Sequence, residues 1–213
     1  MYIYQPSRIL LKQQIKKQSH YIKGRVLDVG AGDFSRYESL FDCKEYIKMD
    51  IKKNNNIDVV GRAERIPFED SRFNSIVCTQ VLGDVKNIHK AVEEFYRVLK
   101  TDGIVLLTES LIDEMHDEPK DYWRFTKFGL RHLFKNAGFK IIVINQRGGF
   151  FSVKAQNNIR YLIERLNLYS HKWTKIFNPF FMTYSKIMFF LDRMDKSKAN
   201  KKFTLGWCII AQK

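Results

Sequence analysis

The first apolar run of the chain ends in a short turn of small residues, Asp28-Val29-Gly30-Ala31-Gly32-Asp33. At the carboxyl end of a strand, such a turn lets a nucleotide approach backbone amides, because Gly30 and Gly32 carry no side chains to block it. Asp50 stands 20 residues after Gly30, at the end of the second apolar run. A carboxylate in that place can accept both hydroxyl protons of a ribose. Together the two features specify a nucleoside pocket. A dinucleotide-binding dehydrogenase would carry a third glycine where this chain has Ser35, so that reading weakens.

A second constellation runs His116-Asp117-Glu118-Pro119-Lys120-Asp121-Tyr122-Trp123-Arg124-Phe125-Thr126. It follows an apolar run that ends near Glu109, so it falls on a loop over the same end of the sheet. His116 can take a proton near neutral pH, and Asp121 can orient it or take its place. Arg124, beside Tyr122, can pair with an anionic substrate. The competing expectation is that Tyr122, Trp123 and Phe125 pack as core or lid, while Asp121 and Arg124 pair on the surface. Cys43, Cys78 and Cys208 lack the close spacing a zinc site needs, and Cys78 falls inside a predicted buried strand. No metal is expected.

These residues resemble the class I S-adenosylmethionine (SAM)-dependent methyltransferases, especially the large group labelled type 11. VLDVGAGDF is similar to their first motif, and IPFEDSRFNSIVCTQVL to the stretch before and through the fourth strand. AVEEFYRVLKTDGIVLLTE continues the likeness, which spans roughly residues 23 to 145. The resemblance implies S-adenosyl-L-methionine as cofactor. Asp28 would then help hold its methionine amino group, Gly30, Ala31 and Gly32 would pass beneath it, and Asp50 with Ile51 would meet the ribose. Ala63 and Glu64 would flank adenine, and Gln80 and Val81 would line the methyl-donor end. Phe34, Arg62 and Gly83-Asp84 depart from the family pattern. The stretch from His116 through DYWRFT resembles a bacterial type 11 subgroup that accompanies cell-surface polysaccharide biosynthesis.

The elements that would position these residues read as one α/β domain. RVLDVG, YIKMD, SIVCTQ and GIVLLTE alternate with helical patterns, the signature of a parallel sheet with crossover helices. Residues 6 to 19 form an amphipathic helix with Pro6 in its first turn, and 87 to 100 form another behind the cap Asn87. Gly103 is expected to supply the positive φ that turns the second helix into the next strand. A helix over 127 to 138, a strand over 139 to 145 and a last strand over 205 to 213 complete a doubly wound, Rossmann-like, seven-stranded, mostly parallel sheet with an antiparallel last strand. The division expected is an N-terminal helix over 1 to 22, a cofactor-binding core over 23 to 150, a helical insertion over 151 to 203 and the final strand over 204 to 213.

Thirty-seven Lys and Arg against 23 Asp and Glu give a net charge of +14, which draws the chain toward phosphate, anionic lipid or an anionic substrate. The absence of a secretory pattern and the scattered cysteines suit a cytoplasmic protein. Methylation of exocyclic amines in nucleic acid would need an Asn/Asp-Pro-Pro-aromatic turn where Cys78-Thr79-Gln80-Val81 stands. An RNA methyltransferase acting on ribose, and a SAM-fold scaffold without catalysis, remain as alternatives to methyl transfer onto oxygen, or less readily nitrogen, of a small molecule or glycan precursor. The insertion carries Phe177, Phe180, Phe181, Met182, Ile187, Met188, Phe189, Phe190 and Leu191, followed by Arg193, Lys196, Lys198, Lys201 and Lys202. So many apolar groups must be covered, by a lid contact, a homodimer interface or an anionic membrane.

Overall fold

A computed structural model describes residues 3–33, 36–116 and 118–213. Phe34, Ser35 and Asp117, three of the residues considered above, lie outside it.

Seven strands form one sheet in the order β3-β2-β1-β4-β5-β7-β6. They are β1 (Arg25–Val29), β2 (Glu45–Asp50), β3 (Val59–Val60), β4 (Phe73–Thr79), β5 (Leu99–Ser110), β6 (Lys140–Arg147) and β7 (Gly206–Gln212). β7 runs antiparallel between β5 and β6, whereas the pairs β1–β2, β1–β4, β2–β3 and β4–β5 are parallel. The sheet is therefore mostly parallel with an antiparallel last strand, as expected.

Successive strand residues alternate between two apolar layers, as the two-residue period of a strand requires. Leu27, Val29, Ile76, Cys78, Val105, Leu107, Ile209 and Ala211 enter one core, which α2 (Ile88–Val98) and α3 (Lys127–Asn136) cover. Val26, Val77, Leu106, Cys208 and Ile210 enter the other, under α1 (Pro6–Gln18). α2 buries Ile88, Ala91, Val92, Phe95 and Val98 at helical spacing, and the Asn87 side chain accepts the Lys90 amide at its N-terminus. Thr126 caps α3 through the Gly129 amide in the same way.

Two local expectations change. Asp102, with φ +61°, supplies the positive φ near the start of β5. Gly103 is needed for space instead, because a Cβ there would lie 2.8 Å from the Lys100 carbonyl oxygen. Full crossover helices after β1 and β2 are also missing among the described residues. A three-residue 3-10 turn, Glu38–Leu40, stands in the first connection, and short β3 stands in the second.

The segment before β7 forms α4 (Phe150–Arg165) and the long α5 (His171–Met194). Asp192 of α5 caps α4, its oxygens accepting the backbone amides of Gly149, Phe151 and Ser152 at 2.9, 3.0 and 3.0 Å. A third cluster, Ile3, Ile159, Ile163, Leu168 and Phe181, holds the pair together.

Candidate functional site

β1 hands the chain to β2 on one side, while β4 lies on its other side. The switch point between β1 and β4 opens a crevice at the carboxyl ends of the strands. A cavity of about 510 Å³ occupies it. Its floor is Asp28, the turn Gly30-Ala31-Gly32, Thr79 and Gln80. Arg8 and Leu11 of α1, Gln156 and Arg160 of α4, and Asp84 and His116 also line it.

The glycine turn is held differently from the sequence expectation. The amides of Gly30 and Ala31 donate to the Met49 carbonyl at 2.9 and 3.2 Å, and Gly32 donates to Asp50 Oδ2 at 3.0 Å. All three amides are consumed by the fold, so the turn offers a ligand a smooth face and no nest for phosphate. Gly30, with φ +76°, makes room for Val81, since a Cβ there would lie 2.3 Å from Val81 Cγ2. Gly32, with φ +68°, is the glycine that keeps the cavity open, because a Cβ there meets nothing within 4 Å.

Asp28 is buried and lines the cavity, and it accepts the Tyr46 hydroxyl at 2.8 Å. Burial pushes its carboxyl up to about 7 in spite of that bond. A carboxylate so poorly solvated is suited to receive an ammonium group. Asp50 also accepts the Lys52 amide, at 3.1 Å, which leaves each of its oxygens a second lone pair for a ribose hydroxyl. A nucleoside carrying an amino acid and no phosphate fits this donor set.

Asp28, Gly30, Ala31, Gly32 and Gln80 thus meet at one cavity. Val81 packs beneath Gly30, Ala63 lies in the core, and Ile51 is exposed beside Asp50. Glu64 pairs with Arg62 at 3.3 Å, and neither residue lines the cavity. Gln80 adopts φ +58°, a region that costs a non-glycine residue energy and that gathers at functional sites. Its Oε1 accepts the Ser110 hydroxyl at 2.6 Å, and its Nε2 donates to Thr108 Oγ1 at 3.3 Å.

The loop after β5 divides its residues. His116 reaches the cavity, its Nδ1 is 3.1 Å from the Glu114 carbonyl, and its Nε2 is 3.9 Å from Asp84 Oδ1. Burial lowers its pKa, but the Glu114 carbonyl, Asp121 and Asp84 outweigh that and raise it above the ordinary value. Asp121 accepts the His116 amide at 3.1 Å and both terminal nitrogens of Arg124. That grip holds Asp121 at about 2, so it remains a carboxylate. Arg124 also donates to the Glu114 carbonyl at 3.0 Å, which leaves it locking the loop. Tyr122, Trp123 and Arg124 line a separate hollow of about 260 Å³, while Phe125 is core. One ligand atom each of Asp84, His116 and Asp121 lies within 4.8 Å of the others. Arg124 already occupies both Asp121 oxygens, which disfavours a cation there.

Two residues of this neighbourhood hold positions that the sequence did not reveal. Glu109 is buried at the end of β5 and accepts the amides of Val81, Leu82 and Gly83 at 3.1, 2.8 and 3.3 Å, fixing the loop after β4. Burial pushes it up to about 7 against those bonds. Arg147, at the end of β6, is buried behind Gln80. A carboxylate at the end of an apolar strand was the available signal for the first.

Asp28 and Glu109 predict a pH dependence. Both folded pKa values lie above those of the unfolded chain, so the folded state binds more protons between roughly pH 4 and 7. Stability therefore falls as pH rises through that window. The melting temperature of the ligand-free protein should drop by on the order of several degrees from pH 5 to pH 8, and Asp28→Asn should flatten the decline.

Residues 27–107 match the family model described as "Methyltransferase domain". The chain is 27% identical over 177 residues to an uncharacterized protein of Methanocaldococcus jannaschii, covering 76% of this chain and 82% of that one. It is 33% identical over 108 residues to an uncharacterized methyltransferase of Bacillus subtilis, covering 42% of each. Among solved structures, the phosphoethanolamine N-methyltransferase 2 of Haemonchus contortus, in complex with S-adenosyl-L-methionine, superposes with a TM-score of 0.57 at 19% identity. That match covers 94% of this chain and 51% of the other, and it shows a shared fold. The glycine turn, Asp50 and the β4 edge thus lie within the segment that matches a methyltransferase domain, and their donor set suits S-adenosyl-L-methionine.

Proposed function

We propose that the chain methylates an oxygen nucleophile, with nitrogen the less favoured alternative, on a small molecule or glycan precursor. The observation that carries this reading is His116 at the edge of the cavity. If the Glu114 carbonyl takes the proton of Nδ1, Nε2 is left as the basic nitrogen on the Asp84 side. When bound, the cofactor supplies an electrophilic methyl on sulfonium. Asp28 holds its amino group, Asp50 its ribose, and the smooth Gly30–Gly32 turn lies beneath it. Gln80 marks the methyl end. His116 Nε2 removes the acceptor proton, and Asp121 keeps the imidazole in place from the other side. The rate of methyl transfer should rise with pH through a pKa above the ordinary histidine value. A profile identical in wild type and His116→Gln would remove His116 from proton transfer.

The surface of α5 supports a lipid-linked acceptor. Phe181 and Met188 are buried, so the exposed stripe is Trp173, Ile176, Phe180, Ile187, Phe190 and Met194, at spacings of three, four and seven. It runs along a helix of 24 residues, about 36 Å long. Exposed Lys172, Lys175, Lys186 and Arg193 flank it. Cations of one sign would repel across a self-paired helix and complement anionic headgroups, each contributing about 1 kcal/mol. Among the described residues no helix is long and apolar enough to cross a membrane, so the contact is peripheral. The protein should sediment with vesicles containing anionic lipid, less so at high salt, and Phe180→Ser with Phe190→Ser should abolish this while leaving cofactor binding intact. Sedimentation indifferent to lipid charge, or a dimer that the same pair dissociates, would overturn the membrane contact.

A further inference from the structure

Arg147 is 2% exposed, and its side-chain Nε and Nη1 have no hydrogen-bond partner. Its remaining nitrogen, Nη2, makes only long contacts of 3.4 Å to Gln80 Oε1, Ser110 Oγ and the Leu205 carbonyl. No carboxylate among the described residues lies within 4.0 Å of it. Glu109 is committed to three backbone amides. Asp113 and Glu109 act on the guanidinium only through space, and a buried guanidinium without a contacting counter-charge is costly unless something pairs with it. Yet the fold makes room for it. A Cβ at Gly206 would lie 2.1 Å from the Glu109 carbonyl oxygen and 2.3 Å from Nη2, so the glycine at the start of β7 admits both the close approach to β5 and this cation. Its backbone is pinned as well, since the Arg147 carbonyl accepts the Leu205 amide and the Thr204 hydroxyl, each at 3.0 Å.

The guanidinium stands directly behind Gln80, which lines the cavity at its methyl-donor end, and Ser110 of β5 lies beside both. We propose that Arg147 forms the inner wall of an anion subsite in the cleft, taking a carboxylate or phosphate group carried by the methyl acceptor. The proposal rests on the cleft being the acceptor site. Rotation of the Gln80 side chain away from Ser110 opens the guanidinium to the cavity, and the planar fork then meets two oxygens of the anion at once. An acceptor charged at one end would be fixed by Arg147 with its nucleophile presented toward His116.

The test uses the full chain saturated with S-adenosylhomocysteine, with inorganic phosphate and acetate as probes in separate calorimetric titrations. Wild type should bind one of them at a single site, phosphate marking a phosphorylated acceptor and acetate a carboxylate. Arg147→Met should lose that binding by more than tenfold, retain S-adenosylhomocysteine affinity, and melt no lower than wild type without ligand, since an unpaired buried cation has been removed. Arg147→Lys, which keeps the charge and loses the fork, should bind the anion about tenfold more weakly and serves if the methionine variant does not fold. Equal anion binding by wild type and the variants would overturn the proposal. So would loss of S-adenosylhomocysteine affinity in Arg147→Met with neither anion bound by wild type, because the cation would then serve the cofactor's own carboxylate. A chain that binds no S-adenosylhomocysteine at all would strike the cofactor assignment instead.

Discussion

His116→Ala is expected to lower the rate of methyl transfer at saturating cofactor and acceptor by about 10²- to 10⁴-fold, the usual contribution of a positioned general base. The geometry behind this number is specific. The Nδ1 side faces the Glu114 carbonyl at 3.1 Å and Asp121 at 3.7 Å, while Nε2 stands beside Asp84. Removing the imidazole leaves Asp84 as the carboxylate on the Nε2 side. The His116 side chain is 42% exposed, so its loss opens no core cavity and should leave the fold and S-adenosylhomocysteine affinity unchanged. Full turnover in His116→Ala would show that the acceptor needs no base there and that the loop after β5 serves only as cover.

Asp50→Ala should weaken S-adenosylhomocysteine by about 1.5 to 3 kcal/mol, the scale of hydrogen bonds to a charged acceptor. That is roughly a 10- to 150-fold rise in Kd. Two losses combine in this residue. The ribose hydroxyls lose their acceptor, and the Gly32 amide loses the bond that ties the turn to the end of β2. Asp50→Asn separates them, because its amide oxygen can still accept from Gly32 while the charge is gone. Calorimetry should place Asp50→Asn between wild type and Asp50→Ala. Unchanged affinity in a folded Asp50→Ala protein would remove the carboxylate from the cofactor site.

Much of the scaffold was legible because its signals are local. The alternation of apolar runs with helical patterns gave the parallel sheet, and the cap Asn87 marks a helix that forms where its hydrophobic spacing begins. Asp28 and the glycine turn could be placed at the strand ends for the same reason. What stayed hidden depends on which strands become neighbours. Glu109 meets the Val81–Gly83 amides only because β4 and β5 pair with Thr79 opposite Thr108. Arg147 finds Gln80 and Gly206 only once β7 is inserted between β5 and β6. The roles of individual glycines were misjudged for a related reason. Gly30 looked like an opening for a ligand, but its neighbour is Val81, a contact no spacing rule reveals. In α5 the sequence showed an excess of apolar groups without saying which faced outward. That division was set by the packing of Phe181 and Met188 against the rest of the fold.

The central claim is that the cleft lined by Asp28 and Gly32, with Asp50 bonded to the Gly32 amide, holds S-adenosyl-L-methionine, and a calorimetric titration of the wild-type chain with S-adenosylhomocysteine tests it most directly. One saturable site per chain is predicted, with a Kd in roughly the micromolar range common for enzyme ligands, and with affinity reduced in Asp50→Ala and preserved in His116→Ala. A folded protein that gives no saturable heat, or one that binds equally well with Asp50 replaced by alanine, would contradict the account.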